Sequence, residues 1–166
     1  MKAWIQRVTV GIVLRVVHAA LVELRGMDTR VQQEFERMPE GLGYAVHTGW
    51  RAPELHVQWA GGRLHRLAGP PQGACTLHVK SLPLSFRLFT GQMGLAQAYA
   101  RHAFTMQGEV ADVMRLARLV NLVEAYLFPR FITRRILTDI PPLQASPLRV
   151  YGRIFLGFIT GRYARG

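Results

Sequence analysis

Three features of the sequence predict an α+β fold. The hydrophobic period is helical at the start, changes to strand-like alternation between Leu42 and Lys80, and returns to helical from Leu82. The alternating runs are set off by turn clusters, Gly61-Gly62 and Gly69-Pro70-Pro71-Gln72-Gly73. With 49% hydrophobic and 19% charged residues in a chain of 166, there is enough apolar material for a core and too little charge for disorder. That length suits one domain with extensions, divided here as residues 1–39, 40–128 and 129–166.

From Trp4 to Leu24 the chain reads as a helix. Arg7, Gly11, Arg15 and His18 gather on one stripe, and Trp4, Ile5, Val8, Ile12, Val16 and Ala19 form a broad apolar face that protein or lipid must cover. Arg7, Arg15 and His18 interrupt the apolar run that a signal peptide needs, and a central Arg15 costs a spanning helix about 2.5–3.5 kcal/mol. After Gly26, Thr29 and Gln32 have the spacing of a capping box, which opens a short helix that Pro39 ends. Leu42 to His47 offers a strand. Leu55, Val57 and Trp59 alternate with His56 and Gln58, and Gly61-Gly62 turns this strand into a partner at Arg63 to Leu67. Cys75, Leu77 and Val79 alternate in the next strand. Pro83 suits the first turn of a helix that Gly91 caps, and a shorter helix runs from Gly94 to Arg101. Phe104 and Met106 flank Thr105 in a last strand, and Glu109 to Leu127 carries an apolar stripe through Val110, Val113, Leu116 and Val123.

The formal charge is +11, and 19 of the 21 cations are Arg. Residues 129–166 hold 7 basic groups and 1 acidic, so the excess is concentrated in the tail and predicts an anionic partner, phospholipid or nucleic acid. The single Cys75 forms no internal disulfide, which fits a reducing compartment.

The ordered series from Glu54 to Leu127 resembles the sterol carrier protein 2 (SCP2) domain family. It comprises a hairpin with a Gly turn, a strand like Cys75 to Lys80, a helix ending in Thr90-Gly91-Gln92-Met93, an alanine-rich turn at Ala96, Ala98 and Ala100, and the strand-Gly-acid-helix run Phe104-Thr105-Met106-Gln107-Gly108-Glu109. The short N-terminal helices are similar to those of bacterial accessory proteins of ubiquinone biosynthesis. The resemblance implies a sheet of about five mostly antiparallel strands, covered on one face by helices, with extra helices at both ends. It also implies a tunnel that holds a lipid, with no catalytic group and no cofactor.

Candidate tunnel residues are Val57, Trp59, Leu77 and Val79 on the strands, and Phe86, Phe89, Met93, Phe104, Met106, Val113 and Leu116 facing them. A tunnel needs apolar side chains in excess of those that fill a core, and flexible thioethers adapt to varied chains. Each of these positions also suits a plain core. His47, His56, His65 and His78 alternate with apolar residues, which turns them to the outer face; Asp and Glu are scarce beside them in sequence, so no metal site is expected. No nucleophile elbow, triad spacing or phosphate loop occurs, and an enzyme is not expected.

In the tail, Arg130, Arg134 and Arg135 alternate with Phe131, Ile132, Ile136 and Leu137. A second helix starts at Ser146 with Pro147 in its first turn. Leu148, Tyr151, Phe155, Phe158 and Ile159 share one stripe, with Arg149 and Arg153 on a flank. A basic amphipathic helix with aromatics suits a membrane interface, so Arg134, Arg135, Arg149, Arg153, Phe155 and Phe158 are the candidate membrane contacts. The same stripe could instead pack on the domain or join a homodimer. The reading is a non-enzymatic carrier, cytoplasmic and peripheral to the inner membrane, sheltering an isoprenoid quinone precursor for quinone-biosynthesis enzymes. The competing readings are a scaffold that binds partner enzymes in its groove and a nucleic-acid binder; the second lacks a recognition motif.

Overall fold

The computed structural model describes residues 2–137 and 139–163. In chain order the elements are α1 (Lys2–Leu24), α2 (Thr29–Glu36), β1 (Gly43–His47), β2 (Glu54–Ala60), β3 (Arg63–Leu67), β4 (Cys75–Val79), α3 (Leu82–Phe89), α4 (Leu95–Ala100), β5 (Phe104–Gln107), α5 (Val110–Leu127), α6 (Arg130–Ile136) and α7 (Pro147–Ile159). The five strands make one mixed sheet in the order β3-β2-β1-β4-β5. The pairs β1–β2, β2–β3 and β4–β5 are antiparallel, while β1 and β4 run parallel at the centre, Val46 opposite Leu77. This is the predicted α+β class.

Alternation sorts the two faces. Tyr44, Val46, Leu55, Val57, Trp59, Cys75, Leu77 and Val79 turn to the helices and are buried in one continuous core. Gly43 lets the loop before β4 cross the other face, because a Cβ there would run into the ring of Pro71. Trp59 is clamped between Phe35 of α2, ring centroids 4.9 Å apart, and the guanidinium of Arg25, 4.9 Å from its ring.

One expectation about the N-terminal helices is corrected. The start of α2 is capped by Asp28, whose carboxylate accepts from the Arg30 amide at 2.9 Å. The Thr29 hydroxyl instead donates to Gln144 at 2.9 Å and Gln32 pairs with Glu36, so the capping box does not form. Within the stripe of Arg7, Gly11, Arg15 and His18, His18 is buried, with its Nε2 3.4 Å from the Leu64 carbonyl. Burial lowers the imidazole below its ordinary value and outweighs the bond to Leu64, which acts in the opposite sense, so it sits neutral in the fold. Val10, Leu14, Ala19, Ala20 and Leu24 of α1 pack into the core, whereas Trp4, Ile5, Val8 and Ile12 are exposed. By length and composition α1 could cross a membrane, with a mean hydropathy of 1.6, but its C-terminal half is an internal helix of the domain.

Candidate functional site: an apolar cavity under the sheet

Between the core face of the sheet and the helices lies an apolar cavity of about 240 Å³. Its floor is Tyr44, Val46, Leu55, Val57, Leu77 and Met106 of the strands. Leu88 and Phe89 of α3 and Leu116, Leu119, Val120, Val123 and Leu127 of α5 form its sides, and Phe35 closes one end. The roof is α1, through Val13, Leu14, Val16, Val17 and Leu21. An apolar void of about 150 Å³ already holds benzene and stays dry, so a larger one favours an apolar guest over water.

The cavity takes in Val57, Leu77, Phe89, Met106 and Leu116 of the predicted tunnel residues. The others lie elsewhere. Trp59 serves the clamp with Phe35 and Arg25, Val79 and Met93 are core, and Phe86 is half-buried against the core outside the cavity wall. Phe104 and Val113 line a shallower surface groove with Tyr99, Met114, Ile136 and Leu137. The sequence reading assigned no wall to α1, although Val and Leu on both of its flanks mark a helix buried on more than one side.

Two polar side chains in the wall already have partners. Tyr44 reaches the Asp112 carbonyl at 3.5 Å, and the Tyr151 hydroxyl donates to the Leu127 carbonyl. Glu124 is different. It is buried, its Oε2 has no hydrogen-bond partner among the described residues, and burial pushes its carboxyl up to about 8. Sequence reasoning missed it, although its neighbours at i−4, i+3 and i+4 are Val120, Leu127 and Phe128.

On the opposite face of the sheet the histidines do not stand alone. Register brings Glu54 directly opposite His47, and its carboxylate lies 2.8 Å from His47 Nδ1 and 3.2 Å from His56 Nε2. Carboxylates are scarce beside these histidines in sequence, as expected, but the fold places this one against two of them. The three ligand atoms fall within 4.8 Å of one another, a grouping of donor types that could hold a metal ion. His78 stacks on His47 at 4.5 Å, while His65 turns away to the Ala60 carbonyl at 3.1 Å.

The tail packs on the domain by a face the sequence reading did not choose. Val150, Ile154 and Gly157 of α7 are buried, and Leu148, Phe155, Leu156, Phe158 and Ile159 are exposed, Leu148 by 81% and Phe155 by 67%. Arg134, Arg135, Arg149 and Arg153 are all exposed, but Arg153 is committed to an ion pair within the fold. Its Nε donates at 2.6 Å to the buried Glu23 of α1, which also accepts from Arg162 and Tyr163 at 2.8 Å each. Burial alone would raise the Glu23 carboxyl; these three donors outweigh it and hold it below its ordinary value.

No family model and no curated protein sequence matches this chain. Two solved structures are similar to it. One is a UbiJ-SCP2 ubiquinone synthesis protein, 16% identical, with a TM-score of 0.43 over 65% of this chain and 96% of that one. The other is the solution structure of sterol carrier protein domain 2 of Helicoverpa armigera, 17% identical, with a TM-score of 0.37 over 69% and 85%.

Proposed function

We propose that this protein is a non-enzymatic carrier of the SCP2 type that shelters a hydrophobic molecule in the cavity beneath its sheet, an isoprenoid quinone precursor in particular. The apolar cavity carries the reading, because nearly every group in its wall is a hydrocarbon and the three polar exceptions offer no nucleophile–base pair. The choice of a quinone precursor rests on the sequence resemblance of the N-terminal helices.

The carrier docks from the cytoplasm on the inner membrane. The exposed apolar residues of the first turns of α1 and of α7 enter the interface, and Lys2, Arg7, Arg134, Arg135 and Arg149 meet anionic headgroups at about 1 kcal/mol each. Aromatic and aliphatic side chains as exposed as Trp4 and Phe155 are costly in water and natural at a lipid boundary. Transport then consists of extraction from, or presentation at, the bilayer.

The test is mass spectrometry of an organic extract of protein purified without detergent, beside a Leu119→Trp variant whose indole occupies the cavity. The expected result is a stoichiometric isoprenoid in the parent and its depletion in the variant. Equal lipid in both, or none in the parent, would overturn the assignment.

A further inference from the structure

The cavity wall is almost wholly hydrocarbon, and a carboxyl group is an expensive member of it. Glu124 stands where Leu or Val could have stood in the last turn of α5, and burial of an unpaired polar group costs about 1–3 kcal/mol by mutational measures. Among the described residues no cation compensates the cost, since desolvation is the sole resolved cause of its shift. No neighbouring hydroxyl does either. The tyrosines of the wall are turned to backbone carbonyls, Tyr44 to Asp112 and Tyr151 to Leu127. Ion pairs sit on the neighbouring turns of the same helix, Arg115 with Asp112 at 2.5 Å and Arg118 with Glu34 at 2.6 Å, yet neither arginine reaches Glu124. What remains is a protonated carboxyl at neutral pH, with an O–H to give and a carbonyl to accept, on a residue that lines an apolar space of about 240 Å³.

We propose that Glu124 is the polar anchor of the ligand subsite and takes the hydroxyl of an alcohol or phenol carried on an apolar chain. A hydroxyl complements a neutral carboxyl in both senses, accepting its proton in one hydrogen bond and donating to its carbonyl in another. An ionised headgroup is excluded, because the cavity offers no cation among the described residues and an anionic charge beside the neutral Glu124 would be buried without compensation. The subsite therefore selects neutral amphiphiles over fatty acids and phospholipids, with the head drawn inward. This inference rests on the carrier reading and narrows its ligand class.

The test uses the full-length, delipidated protein and a fluorescent neutral dye displaced by two probes that differ by one hydroxyl, 2-geranylphenol and geranylbenzene. The expected result is at least tenfold tighter binding of the phenol by the parent, a preference kept by Glu124→Gln and reversed by Glu124→Leu, which leaves an unbroken apolar wall. Equal affinities in the parent, or an unchanged preference in Glu124→Leu, would overturn the anchor and leave the carrier intact. Binding of neither probe would overturn the carrier reading and the anchor with it. Displacement by palmitate as strong as by the phenol would overturn the exclusion of anions.

Discussion

The phenol of Tyr126 on α5 donates a hydrogen bond of 2.7 Å to the carboxylate of Asp28, the residue that caps α2. Both side chains are fully buried, and the Tyr126 oxygen in turn accepts from the amides of Gln144 and Ala145 at 3.0 and 3.2 Å. Arg30 completes the group with its Nη2 2.6 Å from Asp28. One pair thus ties α2, α5 and the link into α7 to a single point. Tyr126→Phe leaves the carboxylate short of a donor and two amides without an acceptor, so unfolding by urea should show a loss of about 2–3 kcal/mol. Thr29→Ala touches only the exposed contact with Gln144 and should cost under about 1 kcal/mol. The reverse ranking would restore the capping box at Thr29.

Glu124 makes stability fall as pH rises. Its folded pKa of about 8 lies above the 4.5 of the unfolded chain, so the folded state holds the extra proton between those values. The sign follows from linkage: stability is full below about pH 4.5 and declines by up to ~1.4 kcal/mol per pH unit as ionisation is forced on the buried group. The Tm of the parent should therefore drop relative to Glu124→Gln between pH 5 and pH 8. Parallel pH profiles for the two proteins would show Glu124 to be solvated.

Glu23 works in the opposite sense. Its lowered pKa contributes stability that is present above the ordinary carboxylate range and is lost as pH falls through the folded value. Because Arg153 and Arg162 are half exposed and can turn to water, Glu23→Gln should cost only about 1–3 kcal/mol. It should also loosen α7, read as faster amide hydrogen exchange over 147–159 than over α5. Unchanged exchange in α7 would mean that Val150 and Ile154 hold it unaided.

Gly94 permits the close approach of α4 and α6. A Cβ there would collide with the backbone carbonyl of Ile136, and backbone cannot step aside as a side chain does. Gly94→Ala should destabilise by about 1–3 kcal/mol, measured by thermal unfolding. A gain in stability, as ordinary loss of glycine freedom would give, would show that α6 moves freely.

The exposed stripe of α7 gives a direct test of docking. Phe155→Glu with Ile159→Glu should cut flotation with vesicles of phosphatidylethanolamine and phosphatidylglycerol several-fold while leaving the fold intact, since both side chains are exposed. Arg134→Glu with Arg135→Glu should weaken flotation chiefly at low salt. Vesicle binding that survives both pairs would move the docking surface to α1.

The kind of each element was legible in the sequence, because helix and strand periods are local. Alternation through Val57 and Leu77 placed those side chains on the inner face of the sheet, and Pro83, Gly91 and Pro147 marked ends that the fold uses. Which stripe of a helix is buried is a different question, answered by the partner that covers it. α7 is apolar around most of its circumference, so the local pattern favoured Phe155 and Phe158, whereas packing chose Val150, Ile154 and Gly157. The same holds for α1, whose role as the roof depends on a sheet assembled from residues 43–107. The parallel pairing of β1 with β4, the meeting of Glu54 with His47 and His56, and the bond from Tyr126 to Asp28 join residues 2 to 98 positions apart in sequence; the longer of these are invisible to any local period. Glu124 shows the limit most sharply: a carboxylate on a helix is ordinarily solvated, and only the tertiary structure, by closing α1 and the sheet over it, made it a neutral group inside a hydrocarbon cavity.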